Sequence, residues 1–168
     1  KNYELTKLRP NLFFLHLQDY KVKGNLDEKF KKQISILKKE FKHIIIDGSP
    51  VMNLDNVFVD VAEHIIVPTF LDSVTTNSIL NLLKKTDISK IRAVIPNRVG
   101  RTKIEKDFYT FLKNKLTRSG VFLSIPINQS SIILKLIENG TLLWERRSQK
   151  LNEIKNVFVK VWREIEDE

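Results

Sequence analysis

The chain has 168 residues, of which 42% are hydrophobic and 29% charged, and its formal net charge is +9. It contains no cysteine, which excludes disulfides and thiolate metal sites. No apolar run approaches the length of a membrane span and no signal peptide is visible, so we expect a cytoplasmic protein. The positive charge favours a polyanionic partner such as nucleic acid, although a lysine-rich composition alone gives the same excess.

Strand and helix patterns alternate along the chain. Strands are predicted at residues 11–17, 43–47, 64–68, 91–96 and 121–125. Helices are predicted at residues 30–41, 56–62, 73–85, 103–116, 130–139 and 150–165, of which the second is a short helix or turn. This alternation predicts an α/β fold with a mostly parallel sheet and helices on both faces. No linker, repeat or low-complexity segment interrupts it, so we expect one domain over residues 1–168.

Apolar residues at helical spacing predict which face of each helix is buried. A Ser or Thr cap is expected before the helix at 73–85, and Gly140 is expected to end the helix at 130–139. In the helix at 30–41, the predicted buried residues are Phe30, Ile34, Leu37 and Phe41. In the helix at 103–116 they are Ile104, Phe108, Phe111 and Leu112. In the helix at 150–165 they are Leu151, Ile154, Phe158, Val161, Trp162 and Ile165.

Residues 43–50, HIIIDGSP, combine three consecutive isoleucines with an aspartate at the end of the run. Unbroken β-branched residues are typical of a strand buried on both faces of a parallel sheet. Asp47 then stands where open α/β sheets bind their ligands. The alternative is an aspartate that caps the following helix or turn.

The order of the motifs after this strand resembles that of the ParA/MinD-type ATPases of plasmid and chromosome partition, most closely the Soj/ParF-like branch. IIIDGSP is similar to their Walker B strand, and AEHIIVP to the strand that follows it. The turn at Asn97 followed by Arg101 and Thr102, the Ile125–Pro126 strand end, and a helix closing in NGTLLWE continue the pattern. The resemblance extends over residues 10–165.

This resemblance implies a P-loop NTPase-like fold and a nucleotide-switched homodimer that binds DNA nonspecifically and responds to a ParB-type partner protein. Its cofactors would be ATP and Mg²⁺. Asp47 would act on the magnesium through water, Asn97 would contact adenine, and Pro126, Ile127 and Asn128 would close the base pocket. A hard cation prefers carboxylate ligands, and an amide matches the edge of adenine.

The family's glycine-rich phosphate loop, K-G-G-x-G-K-[ST], is not found in this sequence. The five glycines, at positions 24, 48, 100, 120 and 140, are too far apart to form it. The chain also begins at Lys1, so we favour loss of an amino-terminal segment that carries the P-loop strand over a natural paralogue without the loop. No catalytic residue is assigned, and the chain alone is expected not to hydrolyse ATP. Without that strand we expect a repaired or swapped sheet, because the neighbouring strand edges lose their partners.

Two groups of cations are candidates for contacts with the DNA backbone, which require several positive charges on one face. They are Arg98, Arg101, Lys103 and Lys106, and Arg146, Arg147 and Lys150. The alternative is a solvated surface. A MinD-like positioning ATPase and a non-hydrolysing scaffold that binds DNA or a partner remain alternative functions. We expect the last helix to pack on the sheet and not to insert into a membrane, because acidic residues follow Trp162.

Overall fold

The computed structural model describes residues 4–16, 26–48 and 55–166. The chain divides into two compact units, Lys1–Val61 and Ala62–Glu168. Among the sequence-based assignments, Leu17, Ser49 and Pro50 lie outside the described residues. The expectation of a single domain stays a prediction, and the two units are considered separately.

The first unit combines a hairpin with two helices. Strands β1 (Leu5–Arg9) and β2 (Leu12–Leu15) pair antiparallel, and Asn11 between them has a φ of 61°. Asparagine tolerates this left-handed conformation better than most residues, which allows the tight turn. Helices α1 (Leu26–Leu37) and α2 (Asp55–Val61) follow. The sequence analysis placed a strand at 11–17 in a parallel sheet and missed β1. That placement was wrong, since β2 pairs with β1.

The apolar stripe of α1 forms the core of this unit, as predicted for Phe30, Ile34 and Leu37. The rings of Phe30 and Phe58 lie 5.1 Å apart, and α2 contributes Phe58 to the same cluster. Lys31 and Asp60 form an exposed ion pair of 3.0 Å between the helices. Such exposed pairs contribute little to stability, so burial of the aromatic residues holds the helices together.

The strand predicted at residues 43–47 is not formed. This segment lacks regular secondary structure, and the side chain of Ile45 is 87% exposed. Ile44 and Ile46 pack against the cluster around Phe30 and Phe58. An extended segment becomes a strand only when a neighbouring backbone pairs with it, and no strand in the described ranges pairs with this one. The sequence pattern predicted a strand buried on both faces, which was wrong: Ile44 and Ile46 pack on the cluster, but Ile45 is exposed and the segment has no pairing strand among the described residues.

The second unit is built on a three-stranded parallel sheet in the order β3-β4-β5. Its elements in chain order are β3 (Ile65–Thr69), α3 (Ser73–Lys85), a 3-10 turn (Ile88–Lys90), β4 (Ile91–Pro96), α4 (Lys103–Leu116), β5 (Phe122–Leu123), α5 (Ser131–Glu138), a second 3-10 turn (Leu143–Glu145) and α6 (Gln149–Glu166). The described residues therefore have an α/β fold, as predicted. The predictions for β3 to β5 and α3 to α6 agree with the structure to within a few residues.

The central strand β4 has apolar residues on both faces. Ile91 and Val94 belong to one buried cluster with Ile79 of α3 and Leu112 of α4. On the opposite face, Ala93 and Ile95 belong to a second cluster with Ile127 of the loop after β5 and Val157 and Val161 of α6. Helices therefore cover both faces of this sheet, as the alternating pattern predicted.

The buried face of α4 differs from the prediction. Leu112 and Leu116 are 0% and 4% exposed, whereas Ile104 is 66% and Phe111 40% exposed. Tyr109 packs against the same cluster as Leu112 and donates a hydrogen bond from its hydroxyl to the carbonyl of Ser124. Two apolar stripes overlap on this helix, and packing against the sheet selects the one that contains Tyr109 and Leu116.

The buried stripe of α6 also differs in part from the predicted one. Leu151 and Val161 are buried as predicted, but Val157 is buried in addition, and Phe158 and Trp162 are 40% and 41% exposed. The helix packs on the sheet through Val157 and Val161, as expected. In the described ranges, none of the helices is both long and apolar enough to cross a bilayer.

The helix ends follow local chemistry. Asp72, not a Ser or Thr, caps α3, because its carboxylate accepts hydrogen bonds from the backbone N–H and the hydroxyl of Thr75. At the end of α5, Gly140 has a φ of 58°, and Thr141 donates its N–H to the carbonyl of Leu136. Gly140 therefore ends this helix as predicted, because glycine adopts the left-handed conformation without a steric cost.

Candidate functional site

Two turns lie side by side at the carboxyl edge of the parallel sheet. Ile127 donates its N–H to the carbonyl of Pro96 (2.8 Å) and accepts a hydrogen bond at its own carbonyl from Val99 (3.0 Å). Gln129 donates in turn to Val99 (3.1 Å). The two turns thus extend the pairing of β4 and β5 beyond the strand ends. Backbone pairing on this scale holds both turns in fixed positions.

Asn97 is the first residue after β4. Its backbone N–H donates to the carbonyl of Thr69 at the end of β3 (2.7 Å), and its side-chain oxygen accepts from the N–H of Arg98 (2.9 Å). This arrangement leaves the amide NH₂ group of Asn97 as the donor for other partners. Arg98 has a φ of 53°, an uncommon conformation for a residue with a side chain. Such positions occur often at binding sites.

A cleft of about 470 Å³ opens beside these turns. Its apolar lining includes Leu71, Val99, Tyr109 and Pro126, and Asn128 adds a polar group. The volume lies in the range of pockets that bind small molecules. These apolar side chains can cover the face of a flat ring, and the amide of Asn128 can bond to its edge.

Charged residues complete the lining of the cleft. Arg101 and Lys106 are both exposed there, and Glu105 lies between them in sequence. The carboxylate of Glu105 accepts hydrogen bonds from the N–H of Gly100 (2.7 Å), the N–H of Thr102 (3.0 Å) and the hydroxyl of Thr102 (2.6 Å). These bonds hold the pKa of Glu105 below its usual value, the hydroxyl of Thr102 having the largest effect.

Glu105 determines which part of a ligand the cleft can bind. Backbone N–H groups before a helix normally attract phosphate, but here a carboxylate already accepts those of Gly100 and Thr102. A β-carbon at Gly100 would lie 2.9 Å from an oxygen of Glu105, so only glycine fits this turn without a shift. A phosphate could bind these two backbone donors only by displacing Glu105. The turn before α4 therefore does not form a backbone phosphate site in this structure.

Replacing Glu105 by glutamine is expected to lower the melting temperature at neutral pH. One amide oxygen cannot replace the two carboxylate oxygens that bind Gly100 and Thr102. Because the folded-state pKa of Glu105 is lowered, its stabilisation is present above the unfolded pKa of about 4.3 and is lost as the pH falls through the folded pKa. The difference in melting temperature between wild type and variant should therefore shrink below about pH 4.

The exposed Asp107 lies on the same helix and offers a matched control, since Asp107→Asn removes one charge without touching the turn. Thermal melts followed by circular dichroism between pH 3 and 7 would check the prediction for Glu105. A Glu105→Gln effect no larger than that of Asp107→Asn at neutral pH would contradict it.

The predicted base-pocket residues lie close together. Pro126 and Asn128 line the cleft, and Ile127 between them is only 5% exposed, with its side chain in the core cluster around Ala93. Asn97 lies one residue beyond the Pro96 carbonyl that accepts from Ile127. The structure brings these four residues to one edge of the sheet, with Ile127 in a supporting position.

The predicted cations lie around the same edge. Arg98, Arg101, Lys103 and Lys106 are exposed before and within the first turns of α4. For the second group, the guanidinium of Arg92 near the start of β4 donates to the carbonyl of Glu164 (3.0 Å). This bond ties the last turns of α6 to the amino edge of the sheet. From that bond α6 runs along the cluster that contains Ala93, Ile95 and Ile127, and the second group lies at the other end of the helix and in the segment before it. The exposed residues there are Arg146, Arg147 and Lys150.

Asp47 is exposed and belongs to the first unit, in the segment that has no strand. In the described ranges, no group of three or more His, Asp or Glu side chains could hold a metal ion. Its role as a magnesium ligand stays a prediction.

Sequence analysis did not single out Glu105 or Tyr109 as lining residues. The signal for Glu105 was present, because Thr102 followed three residues later by Glu105 is a capping-box pattern. Tyr109 lies one helical turn after Glu105, so both project from the same side of α4. Leu71 and Val99 could not be found from the sequence, because they meet only through the order of the strands.

No family model, curated protein or solved structure matches this chain. The functional interpretation therefore rests on the residues of the chain itself and on the geometry of the cleft. The pairing of Pro96 and Val99, on either side of Asn97 in the chain, with Ile127 is the feature on which it depends most.

Proposed function

We propose that this chain is part of a ParA-type partition ATPase and that the cleft at the carboxyl edge of its sheet binds the adenine ring of ATP. The observation that carries the proposal is the hydrogen-bonded pairing of the turn after β4 with the turn after β5. Asn97 precedes Val99 and Gly100 in the first turn, and Pro126 and Asn128 belong to the second; all four of these neighbours line the cleft, whereas Asn97 itself lies next to its lining. An amide NH₂ can donate to a ring nitrogen of adenine, and apolar side chains can cover the ring face.

The distribution of charge supports the DNA-binding part of this proposal. Four cations, Arg98, Arg101, Lys103 and Lys106, are exposed before and within the first turns of α4, and a phosphate backbone can be bound by such a group without base contacts. The affinity for duplex DNA should then fall steeply with salt. In a complete enzyme, Mg²⁺ would supply charge to the transferred phosphate when bound. A homodimer and a ParB-type partner belong to the same proposal.

A non-hydrolysing scaffold is the second candidate function. It is favoured by the wide spacing of the glycines and by Glu105, whose carboxylate occupies backbone donors that a phosphate could otherwise use. A MinD-like positioning ATPase is a third candidate of the same fold class. A titration that finds salt-dependent binding to random duplex DNA would favour the partition function over this last one.

Adenosine should compete with ATP almost as well as ADP does, because the cleft binds the base and not the phosphates. In this test, a fluorescent adenine nucleotide is titrated with the 168-residue chain and then displaced by adenosine, ADP, ATP or guanosine. Guanosine should compete poorly. The chain alone should show no magnesium-dependent hydrolysis above background.

The variant Asn97→Asp keeps an oxygen for the N–H of Arg98 but removes the NH₂ donor, so nucleotide affinity should fall about tenfold. Asn152→Asp, on the exposed side of α6, makes the same charge change away from the cleft and should leave affinity unchanged. Equal affinity of both variants would contradict the assignment of Asn97. No binding of any adenine compound would leave the scaffold as the better function.

A further inference from the structure

The segment before α6 and one side of this helix carry three exposed aromatic rings, here called the aromatic face. Trp144 is 59% exposed, Phe158 is 40% and Trp162 is 41%. The ring centres of Trp144 and Phe158 lie 6.1 Å apart, and Trp162 follows Phe158 by one helical turn. Large rings are normally buried, so three of them on one surface indicate a binding site.

Positive charge lies directly beside these rings. Lys155, one turn before Phe158, donates from its ammonium group to the carbonyl of Arg146 (2.7 Å). This bond fixes a cation beside the segment that carries Trp144. The side chains of Arg146 and Arg147 are exposed in the same segment. The carboxylate of Glu145 accepts a hydrogen bond from the N–H of Leu142, so it is held by the backbone.

We propose that the aromatic face binds single-stranded nucleic acid. Unpaired bases stack on aromatic rings, and the neighbouring cations bind the phosphates between them. The bases of a duplex are stacked on one another about 3.4 Å apart along each strand and do not offer their faces to a protein ring. Trp144 and Phe158 contact each other at an interplanar angle of 57°, and each keeps 40% or more of its surface exposed, so an unpaired base can stack on an outer ring face.

This charge pattern favours nucleic acid over a lipid surface. A cation fixed among the rings by a backbone carbonyl is costly to bury in hydrocarbon but is stabilised next to phosphates. The inference goes beyond the proposed nucleotide function. It requires neither ATP nor the cleft, so each of the two can fail without the other.

The intrinsic fluorescence of the protein provides a direct test, because Trp144 and Trp162 are the two tryptophans of the chain. The 168-residue chain would be titrated with a 20-nucleotide oligothymidine, with a 20-base-pair duplex and with phosphatidylcholine–phosphatidylglycerol vesicles, all without nucleotide. We expect quenching by the oligothymidine and an affinity for it at least tenfold higher than for the duplex.

Trp144→Ala should weaken oligothymidine binding about tenfold, and Trp144→Phe should recover most of the affinity because it keeps a ring. Phe111→Ala is the matched control, since Phe111 is also 40% exposed and has the ammonium of Lys115 at 5.5 Å from its ring centre. It should leave binding unchanged. Circular dichroism melts would verify that each variant is folded.

Three results would overturn the inference. They are equal affinity for duplex and oligothymidine, a Trp144→Ala effect no larger than that of Phe111→Ala, and binding to the vesicles without binding to the oligothymidine.

Discussion

Replacing Leu112 by alanine is expected to lower the free energy of unfolding by about 2–5 kcal/mol. Leu112 is 0% exposed and lies in the cluster between α4 and the sheet, where it packs with Val94 of β4 and Leu116. The substitution removes three carbons from a site closed on all sides, so both the burial and the packing contacts are lost. Denaturant unfolding followed by tryptophan fluorescence measures the loss in this unit.

Ile104→Ala is the matched control on the same helix. Ile104 is 66% exposed, so its truncation should change the free energy of unfolding by no more than about 0.5 kcal/mol. The pair tests the orientation of α4, because the sequence pattern had predicted Ile104 to point inward. A larger loss at Ile104 than at Leu112 would show that the helix is rotated about its axis relative to this structure.

Replacing Ile127 by alanine is expected to destabilise the fold and to impair the cleft together. Ile127 is 5% exposed and packs in the cluster around Ala93, so the truncation should cost about 2–5 kcal/mol. Its backbone joins the two turns, and the side chain anchors this junction to the core. With the anchor removed, Pro126 and Asn128 should move more freely. The affinity for adenine compounds should then fall even where the variant is still folded.

Ile125→Ala provides the comparison for Ile127, because Ile125 lies in the same loop but is 55% exposed. Its effect on stability and on nucleotide affinity should be small. Both variants would be studied by denaturant unfolding, and nucleotide titrations would be carried out at a temperature where circular dichroism shows a folded protein. A strongly destabilised Ile127→Ala that binds nucleotide like wild type would contradict the link between this anchor and the cleft.

Much of the second unit could be predicted from the sequence because local signals agree with one another there. The bounds of α3, β4 and α4 follow from hydrophobic periodicity, and the stop at Gly140 from its left-handed conformation. The prediction of a strand at 43–47 was wrong because its local signal had no support from the rest of the chain. Three isoleucines give a strong β propensity, but a strand also needs a partner, which is a property of the whole chain.

The candidate site was predictable only in part. Asn97, Pro126 and Asn128 were chosen from the resemblance to the ParA/MinD-type ATPases. Their positions after strands agree with that choice, because parallel strands place their carboxyl ends at one edge. Tyr109 lines the cleft only because of the rotation of α4 about its axis. The sequence does not predict this rotation, because two apolar stripes overlap on the helix. The exposed rings of Phe158 and Trp162 were predicted to be buried, because periodicity cannot tell the centre of a stripe from its border.

The sequence by itself determined the α/β class of the second unit, the bounds of most of its helices and strands, the turns that follow β4 and β5, and the excess of positive charge. These properties depend on neighbours a few residues apart, where steric preference and hydrophobic period act directly. Tertiary structure alone decided which strands pair, which stripe of α4 and α6 is buried, and that the backbone donors at Gly100 and Thr102 bind Glu105. These features depend on packing between segments that are far apart in the chain. The stabilising energy arises only when the two segments are in contact, so neither segment's own sequence predicts it.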